Sequence, residues 1–497
     1  MKLGIIPYQE STDIVYKSAS QDQQGQKRPN LPQLDATHQV ESSVQNTKIE
    51  FVRTEDIPLN RRHFVYRPCS ANPYFTTLGY GCTEYPFDHS GISVMDRSEG
   101  LSMARDINDL VSVQDQYGWR SARSDVCIKE GTTYWEVEVI HGGNEKPTPG
   151  VDGSASEVQS GSYERRRKQV NDTPHLRLGV CRREASLEAP VGFDEYGYGV
   201  RDISLESIHE GKLNCLLKNG LPLKEGDKIG FLLKLPSVQT QIEQAKEFTK
   251  RRILALNSHM DSMNEPWKED TENGPSKKKL KLETTNKEFQ RALLEDIKYD
   301  DVIRDQIAIR YKNQLFFEAT DYVKTTKPEY YSSDKRERQD YYQLEGSFLA
   351  IFQNGKYIGK AFENLKPFLP PFSELQYNEK FYLGYWQHGE AHEETNEKGI
   401  PSAKKRKQQK KKGLILRNKY VHNNKLGYYP TISCFNGGTA RIITEADKLE
   451  YFGQVQSDYC AGKNLQVNTL DTLYREQIAE DVVWDIIDEL EQTASIR

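Results

Sequence analysis

The sequence predicts a mainly β protein of the sandwich type, and three features predict it. Short segments with period-two alternation recur along the chain, separated by turn residues. Asn354-Gly355 stands between two such segments, the strongest short hairpin signal a sequence offers. The charged, turn-rich stretches 142–171, 240–303 and 388–412 fall between the strand signals, as loop insertions on one sandwich do.

Taken in order, residues 1–50 are rich in Gln, Ser, Asp and Asn without periodicity and read as mostly disordered. Residues 51–84 form an extended aromatic lead-in, in which Pro58, Pro68 and Pro73 argue against helix. Strands are expected at Asp109–Val113, Tyr134–Ile140, His175–Cys181 and Lys228–Leu235. Further strands are expected at Ile307–Tyr311, Gln314–Phe317, Ser347–Gln353, Lys356–Ala361, Lys380–Tyr385, Tyr429–Phe435 and Thr439–Ile443. In Tyr134–Ile140, Tyr134, Glu136 and Glu138 share one face and Trp135, Val137 and Val139 the other. Lys228–Leu235 is nearly continuous in apolar residues, the pattern of a strand buried on both faces. Parts of 240–303, EQAKEFTKRRILAL and KEFQRALLEDI, have the composition of short helices.

Residues 446–467 read as a linker, and 468–492 as an amphipathic helix. At 100° per residue, Ile478, Ala479, Val482, Val483, Ile486, Ile487 and Leu490 fall on one half of the wheel. Glu480, Asp481, Asp485, Asp488, Glu489 and Glu491 fall largely on the other. Asn468 suits the N-cap and Asp471 the positive end of the helix dipole. The width of the stripe suits a groove between two partner helices, the alternative being docking on the chain's own sandwich. The acidic face argues against an anionic membrane or DNA as its partner.

Composition narrows the function. The chain is 28% charged and its mean hydropathy is −0.78, which fits a folded core carrying solvated segments. The net charge of −5 excludes a generic nucleic-acid binder, although basic runs occur at Lys277, Lys278, Lys279 and Lys281 and from Lys404 to Lys412. In the second run Lys404, Lys405, Arg406, Lys407, Lys410, Lys411 and Lys412 are basic, suiting a nuclear-import signal or contact with a DNA backbone. The alternative is a solvated loop. Seven scattered cysteines without C-x-x-C exclude a disulfide framework or zinc finger and point to a reducing compartment. No stretch approaches the roughly 18 apolar residues of a membrane helix.

Catalytic signatures are missing. There is no G-x-S-x-G, P-loop, H-E-x-x-H or methyl-donor-binding signature, and Gly142–Gly153 lacks the Lys-Ser/Thr ending of a phosphate cradle. His388 and His392 have the spacing of metal ligands on a helix, but no third ligand is in view, so they read as loop residues. No enzyme, cofactor or metal is expected.

TYWEVEV, RLGVCRRE, GDKIGF and FQNGKYIGKAF resemble the strands of SPRY (B30.2-like) domains. LEAPVGFD from Leu187, followed by Tyr196-Gly197-Tyr198, more specifically resembles the SPRY-domain subunit of the COMPASS histone methyltransferase complex, the "absent, small or homeotic"-like family of the trithorax group. The resemblance to the budding-yeast branch covers the whole chain. That to animal members covers about 85–445 and the last helix, without their N-terminal zinc-finger and winged-helix region. It implies one SPRY domain over 85–445 and a nuclear, non-catalytic scaffold for methylation of lysine four of histone H3. The implied partners are a WD-repeat subunit, a Dpy-30-like dimer on the last helix, the SET-domain catalytic subunit and a nucleosome touched through the basic loops. It also implies a partner pocket at Trp119, Arg177, Pro190, Phe193 and Arg201, where guanidinium groups between apolar walls clamp acidic groups. Ile203 stands where animal members have lysine and Phe193 where they have tyrosine, which removes a charge and a hydroxyl suited to phosphate. A SPRY adaptor of a ubiquitin ligase is the alternative, but no RING, B-box or SOCS-box segment is visible.

Overall fold

The computed structural model describes residues 36–42, 47–53, 57–60, 64–68, 70–71, 80–81, 89–105, 107–143, 173–203, 205–217, 220–262, 306–311, 314–320, 342–369, 372 and 425–496. Two antiparallel sheets dominate. The larger runs in the order Ala36–Ser42, Thr47–Val52, Ser102–Ala104, Leu110–Ser112, Thr439–Ile443, Gly131–His141, Lys228–Leu235, Phe348–Gln353 and Lys356–Glu363. The short strand Asn468–Thr469 joins it in parallel beside Gly131–His141. The second sheet runs Lys212–Leu216, Glu206–His209, Gly197–Arg201, His175–Cys181, Tyr429–Phe435, Arg120–Ser124 and Ile92–Arg97.

Alternation explains why they stack. Trp135, Val137 and Val139 point from the larger sheet into one core with Phe231, Leu233, Leu349 and Ile351. Leu176, Leu178, Val180, Val200 and Ile432 enter the same core from the other sheet. Each such side chain contributes about 1.5–3 kcal/mol on burial. The opposite face of Gly131–His141 is buried as well. Tyr134 joins Leu232, Phe352, Val455, Tyr459 and Cys460 in a second cluster. Glu136 accepts hydrogen bonds from the backbone N–H groups of Glu450 (3.1 Å) and Tyr451 (2.8 Å) and from the Tyr134 hydroxyl (3.0 Å). Lys228–Leu235 feeds both clusters, as its unbroken apolar run predicts.

Asn354 and Gly355 both have positive φ, 48° and 77°, and pair Phe348–Gln353 with Lys356–Glu363. That is the backbone of a two-residue hairpin turn. Ten of the expected strands occur within a few residues of their predicted limits; Lys380–Tyr385 lies outside the described residues.

Two expectations need correction. Residues 36–42 and 47–52 form a hairpin within the segment read as mostly disordered. Phe51 anchors it against Ala104, Leu110 and Ile140, long-range partners that local composition does not reveal. Residues 446–467 are no free linker. They hold helical turns at Phe452–Val455, Gln456–Cys460 and Ala461–Lys463, which cover the outer face of the larger sheet.

A third sheet, Gln306–Tyr311, Gln314–Thr320 and Phe64–Pro68, plants Phe316 in the main core. The helix Val238–Ser262 adds Ile242 and Ala245 to that core and contains EQAKEFTKRRILAL, read as a short helix within a loop insertion; KEFQRALLEDI lies outside the described residues. Ser237 Oγ accepts from the Thr240 N–H (3.2 Å) as its cap.

Candidate partner-binding site

Arg177 and Arg201 lie directly opposite each other on the paired strands His175–Cys181 and Gly197–Arg201. Like charges in that position repel. The Arg177 guanidinium lies over the Trp119 ring, 5.1 Å from its centroid, and Trp119 in turn packs on Phe435 at 5.3 Å. Burial first, and then the charge of Arg201, push the pKa of Arg177 down to about 10 against a smaller opposing pull from Asp202. Arg177 Nε is buried and makes no hydrogen bond among the described residues. Arg201 donates to Glu206 at 3.1 Å. Among the described residues, therefore, Arg201 is paired with a carboxylate and Arg177 makes no ion pair.

Pro190 and Phe193 sit on the turn beside this pair. The Phe193 N–H donates to the Pro190 carbonyl (3.0 Å), and the Val191 N–H to Ser433 Oγ (2.9 Å). Gly199 lets the turn approach: a Cβ there would stand 2.4 Å from the Val191 carbonyl oxygen and 3.2 Å from Arg177 Cδ. The turn and the arginine thus meet over one glycine, and Phe193 is left 60% exposed. The five residues named from sequence belong to one region, with Ile203 half-buried in the turn after Arg201. Glu206 was missed; it is reached across the next hairpin, and strand alternation gives no sign of it.

The last helix spans Leu470–Ile496. Thr469, not Asn468, caps it: it directly precedes the first helical residue, and its Oγ1 accepts from the Thr472 N–H at 3.4 Å. The sequence places the acidic half of the wheel opposite a partner-facing stripe, and the structure turns part of that acidic half inward, with Glu480 and Asp488 half-buried and Glu491 exposed. Gln477, Asp481, Asp485 and Glu489, four residues apart, are buried. Val482, Val483, Ile486 and Leu490 are 39%, 54%, 48% and 63% exposed. Ile478 is partly buried against the main core, and Ile487 is half-buried. The helix docks on its own chain, through Leu470, Tyr474 and Ile478 in its first turns and through a polar edge beyond them. Cations supplied by distant segments, Arg67, Lys129 and Lys425, make this possible, and a helical wheel cannot show them.

The basic residues Lys277, Lys278, Lys279, Lys281 and Lys404–Lys412, with His388 and His392, lie outside the described residues. Among the described residues no cluster of three or more His, Cys, Asp or Glu side chains could hold a metal ion, and no helix is long and apolar enough to cross a membrane.

An arginine stacked on Trp119 and an exposed apolar helix edge are the two surface features that stand out on this sandwich. No family model matches the chain. It is 82% identical to the COMPASS component BRE2 of Saccharomyces cerevisiae, over 99% of both chains. It is 29% identical to the Set1 complex component ash2 of Schizosaccharomyces pombe, over 89% of this chain and 47% of that protein. A solved human SPRY domain aligns over 69% of this chain and 96% of its own at 9% identity, with a TM-score of 0.25 too low to add to the fold argument. The chain belongs to the family of the COMPASS component BRE2.

Proposed function

We propose that the chain is a non-catalytic scaffold and regulatory subunit of a nuclear histone H3 lysine-four methyltransferase complex. The observation that carries this reading is the outward apolar edge of the last helix, in a chain 82% identical to a COMPASS component. A soluble chain that leaves Val482, Val483, Ile486 and Leu490 in water has a partner for them. Their spacing suits the groove of a small helical dimer of the Dpy-30 type.

In the same reading the SPRY-type sandwich, over 85–445, binds an acidic segment of the WD-repeat subunit. Arg177 supplies the free guanidinium, Arg201 shares its charge with Glu206, and Trp119, Pro190 and Phe193 supply the apolar walls. A phosphorylated segment gains little, because Ile203 offers no charge and Phe193 no hydroxyl. Bringing both partners to the SET subunit stabilises its active arrangement, a shift of populations to which this chain adds no chemistry. The basic runs at 277–281 and 404–412 serve nuclear import and contact nucleosomal DNA.

The test is affinity purification of the tagged chain with identification of its companions. SET, WD-repeat and Dpy-30-like chains together are the expected result. Cullin or elongin chains in their place would move the protein to the ubiquitin-ligase class.

A further inference from the structure

The last helix meets its own chain through charge and amide contacts drawn from three separate segments. Asp481 lies 3.3 Å from Arg67 on the strand Phe64–Pro68 and 3.3 Å from Lys425 just before Tyr429–Phe435. Glu480 lies 3.2 Å from Lys129. Between them, the Gln477 side-chain amide makes two hydrogen bonds to the Cys127 backbone, accepting from its N–H (3.3 Å) and donating to its carbonyl (2.9 Å). Upstream the helix is anchored by Leu470 and Tyr474 in the main core, and beyond Glu480 the exposed edge begins.

Leu470, Tyr474 and Ile478 seat the first turns on the main core. Beyond them the edge of Val482, Val483, Ile486 and Leu490 gains nothing from facing water, so apolar burial does not account for the orientation of these later turns. Rotation of the helix by half a turn would bury the stripe and expose the acids. Buried polar contacts of fixed geometry forbid that rotation, because each charge or amide would lose its partner in a low-dielectric setting. Gln477 fixes the height along the axis, and Asp481, held from two sides, fixes the rotation.

We infer that Arg67, Lys129 and Lys425, acting on Glu480 and Asp481 with Gln477 on the Cys127 backbone, form a positioning clamp that holds the last helix with its apolar edge outward, ready for a helical partner. This rests on the reading that the edge binds a Dpy-30-type dimer. The clamp residues touch no partner themselves; they act through the stripe. Their role is to remove the rotational search that a free amphipathic segment would make on binding.

The test uses the full chain, hydrogen exchange and a purified Dpy-30-type dimer. Asp481→Lys should raise amide exchange over 477–489 by roughly tenfold or more while leaving 131–141 and 228–235 protected. It should weaken capture of the dimer several-fold, chiefly by slowing association. Asp481→Asn should do the same to a smaller degree. Lys425→Glu added to Asp481→Lys should restore protection and capture, which a loss of generic stability would not allow. Unchanged exchange in Asp481→Lys overturns the clamp. So does loss of protection throughout the sandwich in both Asp481 variants, because the contacts then belong to the core. Loosened exchange with undiminished capture overturns it too, as does failure of the double variant to recover. Val482→Glu, measured beside them, separates the two readings. Undiminished capture by Val482→Glu removes the docking role of the stripe, whereas loss of capture only with that variant removes the clamp alone.

Discussion

Replacing Arg177 with methionine should change stability and binding in opposite directions. A guanidinium whose pKa is pushed down to about 10 on folding is carried at a cost of roughly 3 kcal/mol, at ~1.4 kcal/mol for each tenfold. The sign is that of a base depressed in the folded state: the charged form is disfavoured there. Since about 10 is still far above neutral pH, the side chain stays charged and the cost is carried in full at pH 7. Methionine keeps the apolar stem over Trp119 and deletes the charge facing Arg201. Lost cation–π attraction to Trp119 returns about 0.5–2 kcal/mol of the gain. Arg177→Met should therefore unfold in urea no more easily than the parent, and up to about 2 kcal/mol less easily. Titration calorimetry with the WD-repeat subunit should show binding weaker by about 1–3 kcal/mol, or roughly 5- to 150-fold. Arg201→Ala should weaken it less, because Glu206 already shares that charge. A variant of Arg177 that loses over about 2 kcal/mol of stability and binds like the parent would show an ordinary structural arginine and refute the argument.

Three further outcomes follow from the same geometry. Val482→Glu and Ile486→Glu should abolish capture of the small helical dimer and leave the urea midpoint within about 0.5 kcal/mol of the parent, since both side chains already face solvent; general unfolding would place the stripe in the core. Asp125 is pushed up to about 8, by burial first and with a further push from Asp471, against the hydrogen bond it accepts from the Gly91 N–H. The folded chain therefore holds a proton that the unfolded chain releases near pH 4, so stability should fall as pH rises from about 4 to about 8. Asp125→Asn should flatten that slope in urea melts at pH 5 and 8, and equal slopes would contradict it. Gly355→Ala should cost about 1–3 kcal/mol, because φ is 77° and a Cβ would stand 2.6 Å from Tyr451 Cδ1; an unchanged midpoint would count against the turn.

What the sequence disclosed was what local pattern controls. The alternation of Tyr134–Ile140 sorted Trp135, Val137 and Val139 into the main core. Asn354-Gly355 announced its turn because few other residue pairs tolerate two positive φ values. The five residues assigned to a partner pocket came from resemblance alone; they lie near one another through Gly199 and the pairing of Arg177 with Arg201. What stayed hidden depends on distant partners. The turns between Phe452 and Lys463 look like linker until Tyr134 and Phe352 are seen beneath them. The hairpin at residues 36–52 needs the remote Ile140 to bury Phe51. The wheel of the last helix separated apolar from acidic residues correctly. It could not say which half faces inward, because Arg67 and Lys425 stand 414 and 56 residues from Asp481.

The central claim, a scaffold that adds no chemistry and works through two separate faces, is tested most directly by methylation of histone H3 in a reconstituted system. The purified chain alone should transfer no methyl group, and added to the SET and WD-repeat subunits it should raise the rate. Arg177→Ala with Arg201→Ala should lose that gain while still capturing the helical dimer, and Val482→Glu should lose the dimer while still binding the WD-repeat subunit. Methyl transfer by the isolated chain, or a rate indifferent to its addition, would contradict the account.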